Sequence, residues 1–316
     1  MTLVLLRRLA SFLGTLAVAS AVIFAVLEVL PGNAAQVMLG PTATPEAVEA
    51  LSRKLGLDRP APQRYVEWIG GLATGDLGTS HAYGTPIAEL LRERLAVSLP
   101  LAVMAMALTV VLALTLGVYA ASRHGRAGDV GVMAFSQIGL AVPNFWLAIL
   151  LILLFAVHLR WFSAGGFPGW EDGLWPGMKA LLLPAVSLAL VQAAILARVT
   201  RSAVLDVLRE DYVRTARAKG LPRRTVLWRH VLRNAMVPIL TIMGLQFGNL
   251  LAGTVVVENV FVLPGIGRLV FQAIANRDLV VVRDVLMLLA GAVVLINFVV
   301  DLLYAWVDPR LRAAAA

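Results

Sequence analysis

Stretches of about 20 uninterrupted apolar residues, the length that spans a bilayer as a helix, recur along this chain. Four are plain, near residues 98–121, 130–157, 237–257 and 285–306. A fifth, near 179–199, is apolar apart from Ser187 and Gln192, and the first, 9–30, follows Arg7 and Arg8. Lipid offers no partners for backbone N–H and C=O groups, so only helices or closed barrels cross it. Runs this long select helices. With 59% hydrophobic and 15% charged residues, the chain is too apolar and too weakly charged for an ordinary soluble domain. The expected fold class is therefore an all-α membrane protein with six transmembrane helices. The first run has the basic start of a secretion signal. It is long, carries Glu28 and lacks a small-residue cleavage site, so it reads as a retained span.

The polar stretch 31–95 reads as a small helical element rather than a linker. Thr44-Pro45-Glu46 combines an N-cap, a first-turn proline and an acidic first turn. That helix should stop near Gly56. A second, near 63–72, carries Tyr65, Trp68 and Ile69 on one face. Gly75-Asp76-Leu77-Gly78 breaks the chain, and Thr85-Pro86 opens a third short helix to about Arg94.

Six spans put both termini on one side. That side holds Arg7 and Arg8, Arg123 and Arg126, the stretch from Arg198 to Arg233, and Arg310 and Arg312. Together these are 16 of the 27 basic residues. Lysine and arginine accumulate in cytoplasmic loops, so both termini are expected inside and 31–95 outside.

The loop between the fourth and fifth spans is the most distinctive segment. Val204, Leu208, Tyr212, Thr215, Ala216 and Lys219 recur at helical spacing. Gly220 suits a left-handed residue just past a helix end, and Leu221-Pro222 starts a second helix. There Leu227, Trp228, Val231, Leu232 and Ala235 form an apolar stripe beside Arg223, Arg224, Arg229 and Arg233. This predicts a basic helix–glycine–helix elbow. By pattern alone it suits an anionic lipid surface or a partner protein equally well. The small residues Thr215, Ala216 and Ala218 lean towards the protein.

YVRTARAKG followed by RHVLRNAMVP resembles the cytoplasmic loop of ABC-importer permeases whose pattern is Glu-Ala-Ala, three residues, Gly, then Ile-x-Leu-Pro. The form is that of the dipeptide/oligopeptide/nickel branch. With the glycine on Gly220, Arg214, Thr215 and Ala216 take the Glu-Ala-Ala positions, and Leu232 and Arg233 the Leu-Pro. The acid and proline are missing, as is the habit of that branch. The resemblance covers nearly the whole chain, through VLPGN, LGLDRPAPQRYVEWIGGLATGDLGTS, VPNFWLAILLILLF, VVVENVFVLPGIGRLVFQAI and DLLYAWVDPRLR.

The resemblance implies a type I ABC importer permease fold in a bacterial inner membrane. It implies a first span plus extracytoplasmic segment over 1–95, a permease domain over 96–306, a coupling loop at 200–236 and a cytoplasmic tail at 307–316. It also implies partners: a second, related permease forming a heterodimer, two cytoplasmic ATPases that bind ATP and Mg, and an outer solute-binding protein. Besides these and the lipid bilayer, no nucleic acid is expected. The chain itself has no phosphate-binding glycine loop, so no cofactor and no ATP hydrolysis are expected of it. Asp211, Tyr212, Arg214, Thr215, Ala216, Arg217, Lys219, Gly220 and Leu221 are the implied ATPase-docking residues. For the path, polar residues in spans are costly and face protein or a cavity. Ser136, Gln137, Asn144, Gln192, Thr241, Gln246, Asn249 and Thr254 are the candidates, with Ser187 and Asn297 beside them. Interhelical hydrogen bonding is the competing role for each. Pro264-Gly265-Ile266-Gly267 with Leu269, Val270 and Ile274 predicts a short helix, a gate or a plain lid.

Other classes fit less well. An ion-driven transporter needs a buried acidic site at mid-membrane, and spans two to five carry none. Four separated histidines and no cysteine give neither metal-ligand spacing nor a catalytic constellation. Short peptides rank first as cargo, ahead of nickel chelates, glutathione and sugars.

Overall fold

The computed structural model describes residues 2–29, 34–40 and 42–307. The first span's end at Leu30, most of the VLPGN motif and nearly all of the expected tail, with Arg310 and Arg312, lie outside the described residues. In chain order the helices are α1 (Thr2–Val29), α2 (Ala34–Leu39), α3 (Pro45–Lys54), α4 (Ala61–Thr74), α5 (Ile87–Ser122), α6 (Ala127–Ala141) and α7 (Asn144–Leu151). A π-helical stretch, Ile152–His158, continues α7. Then come α8 (Leu174–Leu208), α9 (Asp211–Ala218) and α10 (Arg223–Thr225). A second π stretch, Val226–Val231, leads into α11 (Leu232–Val260), followed by α12 (Ile266–Ala275) and α13 (Leu279–Val307).

Among the described residues, five helices are long and apolar enough to cross a membrane, and the α6–α7 pair makes a sixth if counted as one broken span. The expected plain third span is thus bent, by 105°. Pro143 is the cause. It lacks an N–H and holds the preceding residue out of the α region; Val142 is extended, at φ −90° and ψ 120°. Pro100, Pro184 and Pro238, in contrast, sit inside continuous helices. The expected short helix after Thr85-Pro86 does not stop at Arg94. It runs on into the second span as α5, 36 residues or about 54 Å long, because nothing between Arg94 and Pro100 breaks the backbone ladder.

The chain divides into two compact units, one of Leu99–Leu263 with 296–307, the other of Thr2–Ser98 with Pro264–Leu295. The second unit thus groups the N-terminal segment with 264–295.

In the first unit α8 is central, packing against α6, α7 and α11. In its most apolar window 67% of residues are buried, against 6% in α1, whose Leu13, Val18, Val22 and Val26 are exposed. Such an α1 surface needs an apolar surrounding, lipid or another membrane helix. Around α8 the packing is close because facing residues are small. A Cβ on Gly139 would lie 2.5 Å from the Ala194 Cβ, and one on Gly117 would lie 2.5 Å from the Thr200 Cβ. Apolar helices gain nothing from leaving lipid for one another, so such close contact supplies the attraction.

In the second unit the expected short helices are found. The Thr44 hydroxyl caps α3 by accepting from the Ala47 N–H at 3.3 Å, and Gly56 follows with positive φ. Tyr65 and Trp68 of α4 pack on Phe24 of α1, with ring centroids 5.3 and 6.2 Å away. The Trp68 indole N–H donates to the buried Asp284 at 2.7 Å, and the Arg283 guanidinium lies 4.7 Å over the Trp68 ring. Asp278 accepts from the Ser80 hydroxyl at 2.5 Å and from the Ala82 N–H at 3.0 Å. The 78–86 turn is thereby tied to the α12–α13 junction. α12 is the short helix expected after Pro264-Gly265, with Leu269 and Val270 buried and Ile274 exposed.

Two glycines of α6 separate packing from propensity. Gly131 has open space where a Cβ would go, so Gly131→Ala should be neutral or stabilising by up to about 1 kcal/mol. Gly139→Ala forces a methyl into Ala194 and should destabilise by about 1–3 kcal/mol. Thermal unfolding of the two variants in one detergent measures the contrast.

Candidate functional site

The basic elbow forms as a separate helix turned off the end of α8. Arg209 is the C-cap of α8, Glu210 is extended, and α9 begins at Asp211. The helical spacing from Val204 to Lys219 therefore spans two helices, not one. α9 ends on Gly220, whose φ of +77° places it in the left-handed region that strains any residue with a Cβ. The Gly220 N–H donates to the Arg217 carbonyl at 2.9 Å, and the Leu221 N–H to the Ala216 carbonyl at 3.4 Å. These bonds satisfy carbonyls that a helix end otherwise leaves open. Pro222 then caps α10.

α9 is amphipathic. Val213 and Ala216 are buried, in one cluster with Val118 and Ala121 of α5, Ala203 and Val204 of α8, Val226 and Val231 of the π stretch, and Ala235 of α11. Of the expected docking residues, Ala216 is therefore turned into the protein's own core. Asp211, Tyr212, Arg214, Thr215, Arg217, Lys219, Gly220 and Leu221 are exposed. In the second helix of the elbow the expected stripe is shifted. Val226 is buried and Trp228 is 47% exposed, because the π turn adds a residue per turn and rotates the register.

Tyr212 is the anchored member of the exposed face. Its hydroxyl accepts from the Asn234 side-chain N–H at 2.9 Å, and the same amide nitrogen donates to the His230 carbonyl at 2.8 Å. Asn234 thus bridges α9 to the elbow's other arm. Burial pushes the Tyr212 hydroxyl above its ordinary value, against the lowering effect of this hydrogen bond, so the phenol stays neutral at any physiological pH. Arg214 pairs with Asp211 at 3.2 Å with both side chains largely exposed, a contact that contributes little.

The candidate path residues fall into two groups. Ser136, Gln192, Gln246 and Thr254 are buried inside the first unit, as is Ser187. The Gln246 amide donates to the Gln192 carbonyl at 3.3 Å, and the Thr254 hydroxyl to the Leu251 carbonyl at 2.7 Å. These are interhelical or local fastenings. Asn144 is half-buried, its Oδ1 unpartnered, and its amide lies against Gly253. Gln137, Thr241 and Asn249 are exposed on otherwise apolar helices; the Thr241 hydroxyl donates to the Val237 carbonyl at 3.2 Å. Among the described residues no cluster of metal-ligating side chains occurs. The role of Asn234 as a brace was missed from the sequence, although its position one turn after His230 was visible.

Long apolar helices, one of them leading into a basic, glycine-stopped elbow, give the chain the architecture of a multi-pass membrane protein. Residues 113–313 match the family described as binding-protein-dependent transport system inner membrane component, and residues 1–102 match the N-terminal region of such membrane components. The chain belongs to this family and is a transport component. It is 42% identical to a probable peptide ABC transporter permease of Sinorhizobium fredii, over 98% of both chains. It is 37% identical to a dipeptide transport system permease of Alkalihalophilus pseudofirmus, over 97% of this chain and 98% of that one. It is 38% identical to a glutathione transport system permease of Escherichia coli, again over 97% and 98%. Among solved structures, the inward-facing MetNI methionine ABC transporter matches with a TM-score of 0.57 at 20% identity, over 69% of this chain and 96% of that one. The type I importer permease fold expected from the sequence is thus present.

Tyr212→Phe removes the acceptor for Asn234 while keeping the ring. It should cost about 0.5–1.5 kcal/mol and loosen α9 first. Hydrogen exchange of residues 211–219 should rise in the variant, with exchange in α8 unchanged.

Proposed function

We propose that this chain is one of two permease subunits of an ATP-driven importer of short peptides, with α9 seated on a partner ATPase. The observation that carries this reading is the form of the elbow. α9 is held from behind by a buried apolar cluster, stopped by a left-handed glycine, and presents Tyr212, Thr215, Lys219 and Leu221 outwards. Such a part transmits displacement well, because its inner face is fixed and its outer face is free to be gripped. ATP closure of the ATPases moves α9, and the helices packed behind it shift between two states. ATP and Mg are bound by those partners, not by this chain.

Basic residues concentrate on the side of the elbow and of the termini, which supports a cytoplasmic position for them in the bacterial inner membrane. The α2–α4 segment and α12 then face outwards, where a solute-binding protein delivers cargo, and α12 serves as a gate or a plain lid. The second unit also holds a cavity of about 370 Å³ bordered by Lys54, Arg59, Trp68 and Arg283. Gln137 and Asn249 are the best path-lining residues, since an amide exposed on a spanning helix belongs on a pore or a partner rather than on lipid. The partner permease is a related but distinct chain.

The peptide reading draws on the relatives from Sinorhizobium fredii, Alkalihalophilus pseudofirmus and Escherichia coli, whose names specify peptides, dipeptides and glutathione, itself a small peptide. Titration of the cognate binding protein with di- to hexapeptides tests it; a protein that binds none of them turns the reading to nickel chelates or sugars.

The elbow is tested separately. Proline at 220 lacks the N–H now bonded to Arg217 and cannot adopt positive φ. Gly220→Pro should abolish solute-stimulated ATP hydrolysis in the reconstituted transporter while the chain still inserts in the membrane. Normal stimulation in that variant would refute the role of α9.

A further inference from the structure

Behind the elbow, two arginines hold the turn that joins α5 to α6. Arg201 of α8 grips Asp129 in the first turn of α6 with two parallel bonds, Nε to Oδ1 at 2.5 Å and Nη2 to Oδ2 at 2.7 Å. Asp129 is 4% exposed and also accepts from the Gly125 N–H at 3.0 Å. His124 Nδ1 lies 3.2 Å from its second oxygen. At the other end of the turn, Arg223 of α10 donates to the Ser122 carbonyl, the last of α5. A cation there also meets the negative end of the α5 dipole. The stretch from Ser122 to Asp129 is thus held at both ends, by Arg223 of α10 and by Arg201 of α8. Next to Arg201, α5 and α8 touch through Gly117 and Thr200 with no room for a Cβ.

The arrangement has a mechanical consequence. A bidentate arginine–carboxylate pair fixes distance and orientation together. Asp129 is buried and Arg201 only partly so; separating them leaves the carboxylate without its partner inside the protein, which is costlier than letting the two elements move together. α8 reaches from Arg201 to the elbow as unbroken helix, and α6 is the first half of the span broken at Pro143.

We infer that the Asp129–Arg201 pair, with Arg223 on the Ser122 carbonyl, is the linkage that carries displacement of α9 into α6 and so into the broken span. Asp129 and Arg201 are on this reading positioning residues for transport. The inference rests on α9 being the ATPase-docking helix.

The test uses the complete transporter, with its partner permease, ATPases and binding protein, in lipid nanodiscs and proteoliposomes. Asp129→Asn and Arg201→Gln should still co-purify with the ATPases, while solute transported per ATP hydrolysed falls about 2- to 30-fold, the range expected of residues on a coupling path. Arg201→Lys, which keeps the charge without the fork, should fall in between. The chain has no cysteine, so Asp129→Cys with Arg201→Cys can be joined by a short, reducible bis-methanethiosulfonate linker. Coupling should return when the two are joined and disappear on reduction. Unchanged transport per ATP in the single variants, loss of ATPase co-purification in all of them, or failure of the linker to restore coupling would each overturn the inference. Tyr212→Arg on α9 separates the two readings. If it uncouples the transporter and the clamp variants do not, the linkage is wrong and the docking helix stands. If it leaves coupling intact, the docking helix itself is wrong.

Discussion

Lipid cannot hydrogen-bond to a peptide group, and nearly every feature of this chain follows from that. Each spanning segment must satisfy its own backbone, so the segments are helices, and their breaks occur where protein can supply partners. Pro143 breaks the third span in a region packed against α8 and α11. Once the helices are formed, hydrophobic burial no longer decides how they associate, because lipid is as apolar as leucine. Close contact does. The small residues around α8, with Gly117, Gly139 and Gly253 facing Thr200, Ala194 and Leu188, let backbones approach within the range where dispersion is strong.

The charged residues follow the same logic. Two buried carboxylates within or beside the spans are partnered: Asp129 with Arg201, and Asp284 with the Trp68 indole and Arg283. The Arg201 and Trp68 contacts each join segments distant in sequence. Basic residues with no buried partner collect on the elbow, in water or at a lipid or protein surface. The division of labour is clear in α9, where one face is a continuation of the core and the other is free. A transporter needs that combination at the point where force enters. A floppy elbow would absorb the movement, and a fully buried one would leave nothing to hold.

Much of this was legible in the amino-acid sequence. The apolar runs located every span, since a 20-residue hydrophobic stretch has few alternatives. The α3 cap at Thr44, the stop at Gly220 and the short helix after Pro264 followed from local chemistry, which acts over a few residues and needs no tertiary information. The order of motifs pointed to the family, and the resemblance to its relatives holds over nearly the whole length. Only the structure revealed the π turn that buries Val226 and turns Trp228 outwards, because a register shift of one residue leaves no mark in composition.

The fold class, the family and the existence of the elbow were thus determined by sequence alone, because they depend on segment length, local backbone preference and motif order. Which residues face which way was decided by tertiary structure. Ala216 looked like part of an outward contact and packs inward. Ser136, Gln192 and Gln246 looked like path residues and are enclosed within one subunit, while Gln137 and Asn249 are left on its surface. The Asp129–Arg201 pair joins residues 72 apart. No periodicity or local spacing foretells it, because the pairing exists only once α6 and α8 have packed.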